Sequence, residues 1–172
     1  GVKRGEKRQF QRNGKSYERI SEHIGLIPLV LISPQDSGLI SESAEERRKF
    51  LNASISLLNK PYLESVMRYN NLLLQRNKLL KQEQKDLQLF EAIDMQIAHY
   101  ANLICKQRKH HVESFLPYFL ETYRFISQSK EEIDLQYTSQ LLETPMEDLL
   151  RKNFERDRTL SYTGSGIHRD DI

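Results

Sequence analysis

The stretch that decides the fold is PYLESVMRYNNLLLQRNKLL, residues 61–80, with the polar KQEQKD of 81–86 after it and then LQLFEAIDMQIAHYANLICKQRKHHVESFLPYFLETYRFI, residues 87–126. Val66, Tyr69, Leu73 and Leu80 fall on a heptad seam, broken where Arg76 takes a seam position. Phe90, Ile93, Ile97, Ile104, Val112, Phe115 and Phe119 give the returning segment its own apolar face, with Pro117 expected to kink it late. Two such seams cannot both remain in water. The segments are therefore expected to pair as an antiparallel helical hairpin, an arm, over about 61–126 with its tip near Gln84.

Working outward, the spacing before the arm predicts short strands and one helix. Gln9, Phe10 and Gln11 lead into Asn13-Gly14, the dipeptide favoured in a two-residue hairpin turn, and Tyr17 lies on the return strand. Leu26 to Ile32 is a short β-branched apolar run closed by Ser33-Pro34, which reads as a buried strand. Ser43 and Glu46 match a capping box ahead of a helix with Phe50, Leu51, Ile55 and Leu58 on one face, and Pro61 opens the next helix. After the arm, Ile133, Leu135 and Tyr137 alternate with polar residues as in a half-buried strand. Thr144-Pro145-Met146-Glu147 then matches a second capping box for a helix with Met146, Leu149, Leu150 and Phe154 inward. Leu160, Tyr162 and Gly164 read as extended chain. The expected class is α+β, mainly α.

Composition excludes several functions. Lys plus Arg is 26 against Asp plus Glu at 24, a net charge of +2, so a nucleic acid would have to be held by a local patch. The single Cys105 excludes an internal disulfide framework and a multi-cysteine metal site, suits a reducing cytosol, and reads as packed. The longest apolar run, Ile24 to Ser33, falls short of the roughly 20 residues of a membrane span, so no membrane association is expected. No G-x-x-x-x-G-K-[ST], G-x-S-x-G or H-E-x-x-H pattern occurs, so no catalytic residue, metal site or cofactor is assigned to the chain itself. The chain opens on Gly1-Val-Lys-Arg4 without methionine and closes inside what reads as an entering strand, and is taken for a piece of a longer protein.

Two basic runs stand out as DNA-binding candidates: Lys3, Arg4, Lys7 and Arg8 near the start, and Lys106, Arg108 and Lys109 beside His110-His111 on the second arm helix. A solvated helix face is the favoured reading of the second run, and a frayed edge would account for the first. Arg47-Arg48-Lys49 beside Glu45-Glu46 reads as surface ion pairs. His168 and Asp171 are too few for a metal site, and Arg169 sits between the histidine and two carboxylates, either of which would orient its guanidinium.

Asn13-Gly14-Lys15, Gly25-Leu-Ile-Pro-Leu-Val-Leu-Ile-Ser-Pro-Gln-Asp36 and Glu46-Arg-Arg-Lys-Phe-Leu-Asn52 resemble the middle of the RecF family of bacterial DNA replication and repair proteins. So do Tyr62-Leu with Gln75-Arg-Asn-Lys-Leu-Leu80, Asn153-Phe-Glu-Arg-Asp-Arg158, and Gly166-Ile-His-Arg-Asp-Asp171; between about 81 and 140 the likeness is one of helical pattern. The resemblance implies a truncated ABC-type ATPase head of the SMC kind. Residues 1–36 would belong to the head and the entrance to a second lobe, 37–141 to that helical lobe with its arm, and 142–172 to the return. It implies that the parent uses ATP and Mg, forms an ATP-dependent homodimer, binds single-stranded and gapped duplex DNA, and works with RecO and RecR in recombinase loading in the bacterial cytoplasm. The P-loop would lie before this region, the signature and Walker B motifs after it. Gln35, in place of the family's usual acidic residue, would take a Q-loop-like position by fold analogy alone. Ile167 stands where the family usually has proline. His168, Arg169, Asp170 and Asp171 would lie at the lobe junction, ahead of the signature segment, in a structural and allosteric role. The alternative is a helical protein-interaction domain without direct DNA contact.

Overall fold

The computed structural model describes residues 11–17, 23–26, 29, 31, 33–82 and 86–172. A small hairpin of β1 (Gln11–Arg12) and β2 (Lys15–Ser16) turns at Asn13-Gly14, both at positive φ as that turn requires. A 3-10 turn over Pro34–Ser37 leads into α1 (Gly38–Ser41) and α2 (Ala44–Leu58). The arm is α3 (Lys60–Lys81) and α4 (Leu87–Ser127), and α5 (Met146–Leu160) packs along it before a one-turn 3-10 helix at Ile167–Arg169. Among the described residues no helix is long and apolar enough to cross a membrane.

The arm forms because both of its helices bury one face and start cleanly. The Asn59 side chain caps α3 by accepting from the Tyr62 amide at 3.0 Å, with proline in the first turn, and Asp86 caps α4 by accepting from Leu89 at 3.1 Å. The α3 seam is Tyr62, Val66, Tyr69, Leu72, Arg76 and Leu80, so Leu72 and not the half-buried Leu73 is the buried leucine of that turn. Opposite it lie Phe90, Ile93, Ile97, Ala98, Ala101, Ile104, Cys105 and Val112. The expected tip at Gln84 lies outside the described residues. The helix of α4 continues unbroken across Pro117, but its buried face stops at Val112: Phe115 is exposed and Phe119 only half-buried. At 41 residues against 22, α4 outruns its partner, and the last turns have no α3 surface to meet.

Other expectations are corrected locally. Leu29 and Leu31 are exposed and in no strand, since no neighbouring strand among the described residues takes their backbone groups. Ser43 is the residue before α2, but its side chain makes no capping bond, and Glu46 pairs with Lys49 at 2.7 Å instead of reaching back. Phe50 and Leu58 are exposed; the buried face of α2 is Leu51, Ile55 and Ser56. Helix α5 starts one residue later than its motif suggests, with Pro145 in extended conformation before Met146 and no side-chain cap from Thr144. Ile133, Leu135 and Tyr137 do point inward in alternation, yet the only pairing of that stretch among the described residues is a single antiparallel bridge, Thr138 with Asp171.

Arg76 explains its own place on the seam. Completely buried, its Nε donates to Asp94 at 2.7 Å and its Nη1 to Asp157 at 2.7 Å and Thr163 at 2.8 Å. One guanidinium thereby joins α3, α4, α5 and the chain after α5. Asp157 is equally buried and also accepts from the Gly164 amide at 2.9 Å. Removing one partner of such a pair leaves a dehydrated charge behind, so Arg76→Leu should destabilise the chain by about 3–5 kcal/mol in denaturant titration. Arg76→Leu with Asp157→Asn should recover a good part of that loss.

Candidate functional site

The residues 163–171 that follow α5 are laid against the base of the arm, and glycine lets them approach. Gly166 has φ +129°, and a Cβ there would stand 2.6 Å from the Tyr69 hydroxyl and 2.8 Å from Met146 Cε. Ile167 follows as the first residue of the 3-10 turn, a position that proline also suits, and its side chain is buried in the core.

Asp170 is the centre of the site. It is 1% exposed, and its Oδ2 accepts from Arg108 Nη1 at 2.7 Å and from the Tyr137 hydroxyl. Arg108, 2% exposed, also donates through Nη1 to the Ile167 carbonyl at 2.8 Å, through Nε to Tyr62 at 3.2 Å and through Nη2 to Asn52 at 3.0 Å. Burial pushes the Asp170 carboxyl above its ordinary range, against the opposing pull of Tyr137 and Arg108. From α2, Arg48 donates to the Asp170 carbonyl at 2.7 Å, while Arg47 forks onto Asp171 with bonds of 2.6 and 2.9 Å and holds that carboxyl below its usual range. Arg47 also donates to the Glu42 carbonyl at 3.0 Å, tying in the end of α1. The Thr138–Asp171 bridge, with bonds of 2.9 and 3.0 Å, closes the clasp from the other side.

His168 is fixed in one tautomer by its neighbours. The Thr163 carbonyl, 3.0 Å from Nε2, can only accept, so Nε2 carries the hydrogen and Nδ1 accepts from the Tyr69 hydroxyl at 2.8 Å. Arg169, between the two anchored residues, points out. Its guanidinium lies 5.8 Å from the centre of the Tyr162 ring, and the carboxylates expected to orient it face Arg108 and Arg47 instead.

The basic run on α4 is divided by the same geometry. Lys106 and Lys109 are exposed, Lys109 within 3.8 Å of Glu113, but Arg108 is turned inward and presents no charge to an outside phosphate. Lys3, Arg4, Lys7 and Arg8 lie outside the described residues. Gln35 lies in the Pro34–Ser37 turn, whose Ser33 amide donates to the Asp36 carboxylate at 2.6 Å. Sequence reasoning missed Arg47 and Arg48, read as surface charges, and Tyr69 and Tyr137, read only as seam and strand residues. Arg76 did carry a signal, since a cation on an apolar seam requires a buried acid.

The described residues form a two-helix arm with a returning segment locked into its base, mostly helical with few strands, and this fold matches solved structures of an ABC-type ATPase family. No protein-family model matches the chain. It is 47% identical over 171 residues to the DNA replication and repair protein RecF of Parabacteroides distasonis and 41% identical over 175 residues to that of Flavobacterium johnsoniae, covering 99% of this chain in each case. Solved structures of the recombination mediator protein RecF of the RecFOR pathway match at a TM-score of 0.85 and 28% identity for RecF-ATP, and 0.81 and 30% for RecF-ATPrS, covering 95% and 92% of this chain. Over the part of those proteins that it spans, the chain is similar to RecF proteins in both sequence and fold. That part is 47% and 49% of the two relatives and 47% and 46% of the two solved chains, about half their length.

Burial pushes His168 down to about 4, and the nearby Arg169 and Arg48 charges add to this, while the bond to Thr163 opposes it. Unfolded histidine titrates near 6.5, so between about pH 6.5 and 4 the unfolded chain binds more protons than the folded one. The stabilisation is complete above that window and lost as pH falls through it. His168→Gln should remove this part of the acid sensitivity, on the order of 2 kcal/mol, visible as a flatter difference between wild-type and variant unfolding free energies above pH 6.5 and a converging one below it.

Proposed function

We propose that this chain is the central lobe and arm of a DNA recombination-repair ATPase. Residues 1–36 belong to the ATPase head and the lobe entrance, 37–141 to the helical lobe, and 142–172 to the return to the head. The parent binds ATP with Mg, dimerises on it, binds single-stranded and gapped duplex DNA, and helps load recombinase with RecO and RecR in the cytoplasm. Among the described residues no group of three or more His, Cys, Asp or Glu is placed to hold a metal ion, and in this reading ATP chemistry belongs to the rest of the parent. Gln35 takes the Q-loop-like position in this reading. The single observation that carries it is end-to-end likeness to RecF proteins in both sequence and fold.

The clasp gives the reading a mechanism. Asp170 and Asp171 are held by Arg108, Arg48 and Arg47, so a displacement of the returning segment is felt by α2 and α4 together. His168 and Asp170 are pinned on either side of Arg169, which leaves that guanidinium displayed from a rigid base at the lobe junction. Its work is positional and allosteric, not catalytic. In the full-length parent, Arg169→Ala should impair ATP-driven dimerisation severalfold while leaving nucleotide binding near wild type; normal dimerisation with normal DNA-stimulated ATPase activity would overturn this role.

The inward turn of Arg108 favours a second reading, because it removes the middle cation from the α4 run. Under that reading the arm engages a protein through apolar surface and makes no DNA contact. Salt separates the two. Binding to gapped DNA through Lys106, Lys109 and the amino-terminal cations Lys3, Arg4, Lys7 and Arg8 should weaken steeply with ionic strength, roughly in proportion to the phosphates neutralised, whereas an apolar contact should not.

A further inference from the structure

The side of the arm carries a groove that the reading above does not use. It lies between the first turns of α4 and the outer face of α5, and encloses about 700 Å³. Phe90 and Leu150 form its buried floor, and Phe154 meets Phe90 edge to face at 5.1 Å between ring centres. Its walls have helical spacing: Gln88, Ala92 and Met95 on α4 face Glu147, Arg151 and Phe154 on α5, each set at i, i+4 and i+7 or nearly so. Ala92 leaves room, and Met95, 70% exposed, supplies an adaptable apolar rim.

Among the described residues acids outnumber cations along this groove. Glu91, Asp94 and Glu147 line it against Arg151, which is bound to Asp148 at 2.6 Å, while Arg158, 5.8 Å from the Phe154 ring, is paired with Glu155. Asp94 is committed through Oδ1 to Arg76, and Glu147 is steadied by the Asn102 amide at 3.2 Å. A largely apolar trough between two helices can take a third helix, and acidic edges select one whose apolar stripe is flanked by lysine or arginine. We propose that the α4–α5 groove is a docking site for a basic amphipathic helix of a partner protein.

The test uses a synthetic peptide of about 18 residues with leucine at i, i+3, i+4 and i+7 and lysine at the remaining positions, and a control in which glutamate replaces lysine. Titrated into the 15N-labelled 172-residue chain, the lysine peptide should shift amides of residues 87–95 and 147–154 and leave the far end of α4 unmoved. Glu91→Lys with Glu147→Lys should weaken binding about tenfold or more, the loss expected when complementary charges are made alike. Ala92→Trp fills the trough from an exposed position and should abolish binding with an unchanged thermal melt. Equal binding of the glutamate peptide, shifts centred elsewhere, unchanged affinity of a folded Ala92→Trp variant, or closure of the groove by a second copy of the chain would each overturn the proposal.

Discussion

The buried pair of Arg108 with Asp170 is the constraint on which the rest depends. Both side chains are almost completely withdrawn from water, 3% and 2% exposed, and each charge is tolerable because the other is 2.7 Å away and Nε, Nη1 and Nη2 of Arg108 each reach a further acceptor. A pair of this kind adds little net stability over well-packed apolar residues, yet it tolerates almost no error in position. Its consequence is therefore geometric. The segment after α5 has one place where Asp170 can be dehydrated, and Tyr62, Asn52 and Tyr137 converge on it from α3, α2 and the stretch after the arm.

The two buried arginines divide the labour along the arm. Arg76 fastens the distal part of the hairpin to α5 through Asp157, and Arg108 fastens the base to the returning segment through Asp170. Between them the core is ordinary: Ile97, Ala98, Ala101 and Ile104 are fully buried and apolar, and give the helices their pairing without fixing what lies against them. Apolar packing builds the arm, and the ionic contacts specify how the rest of the chain attaches to it.

The arm was legible in the sequence because its information is periodic. Pro61 and the seam residues mark α3, and the observed limits of both helices fall close to the expected 61–126. The tertiary role of charged residues was not legible, because a salt bridge between residues 108 and 170 leaves no local trace: Arg108 sits in a run of Lys, Arg and His that looks like a solvated face. Arg47 and Arg48 were hidden in the same way behind neighbouring Glu45 and Glu46, although they bind Asp171 and the Asp170 carbonyl. The likeness of Gly166 to Asp171 to a known motif flagged the segment, but it did not say which side chains face in. The partial burial of His168, the burial of Asp170 and the exposure of Arg169 are properties of the docked turn. Ser43 and Thr144 show the opposite error, since both match capping patterns and neither side chain caps its helix.

A double-mutant cycle between Arg108 and Asp170 tests this account most directly. Arg108→Gln, Asp170→Asn and the double variant would be unfolded in denaturant at pH 7, with hydrogen exchange of the Asp171 amide followed in each. Each single change should cost about 3–5 kcal/mol and release the Asp171 amide, while the double variant should be more stable than the sum of the two losses allows, with a coupling above about 1.5 kcal/mol. Additive losses with the Asp171 amide still protected would show that the segment is held by other contacts, and would contradict the account.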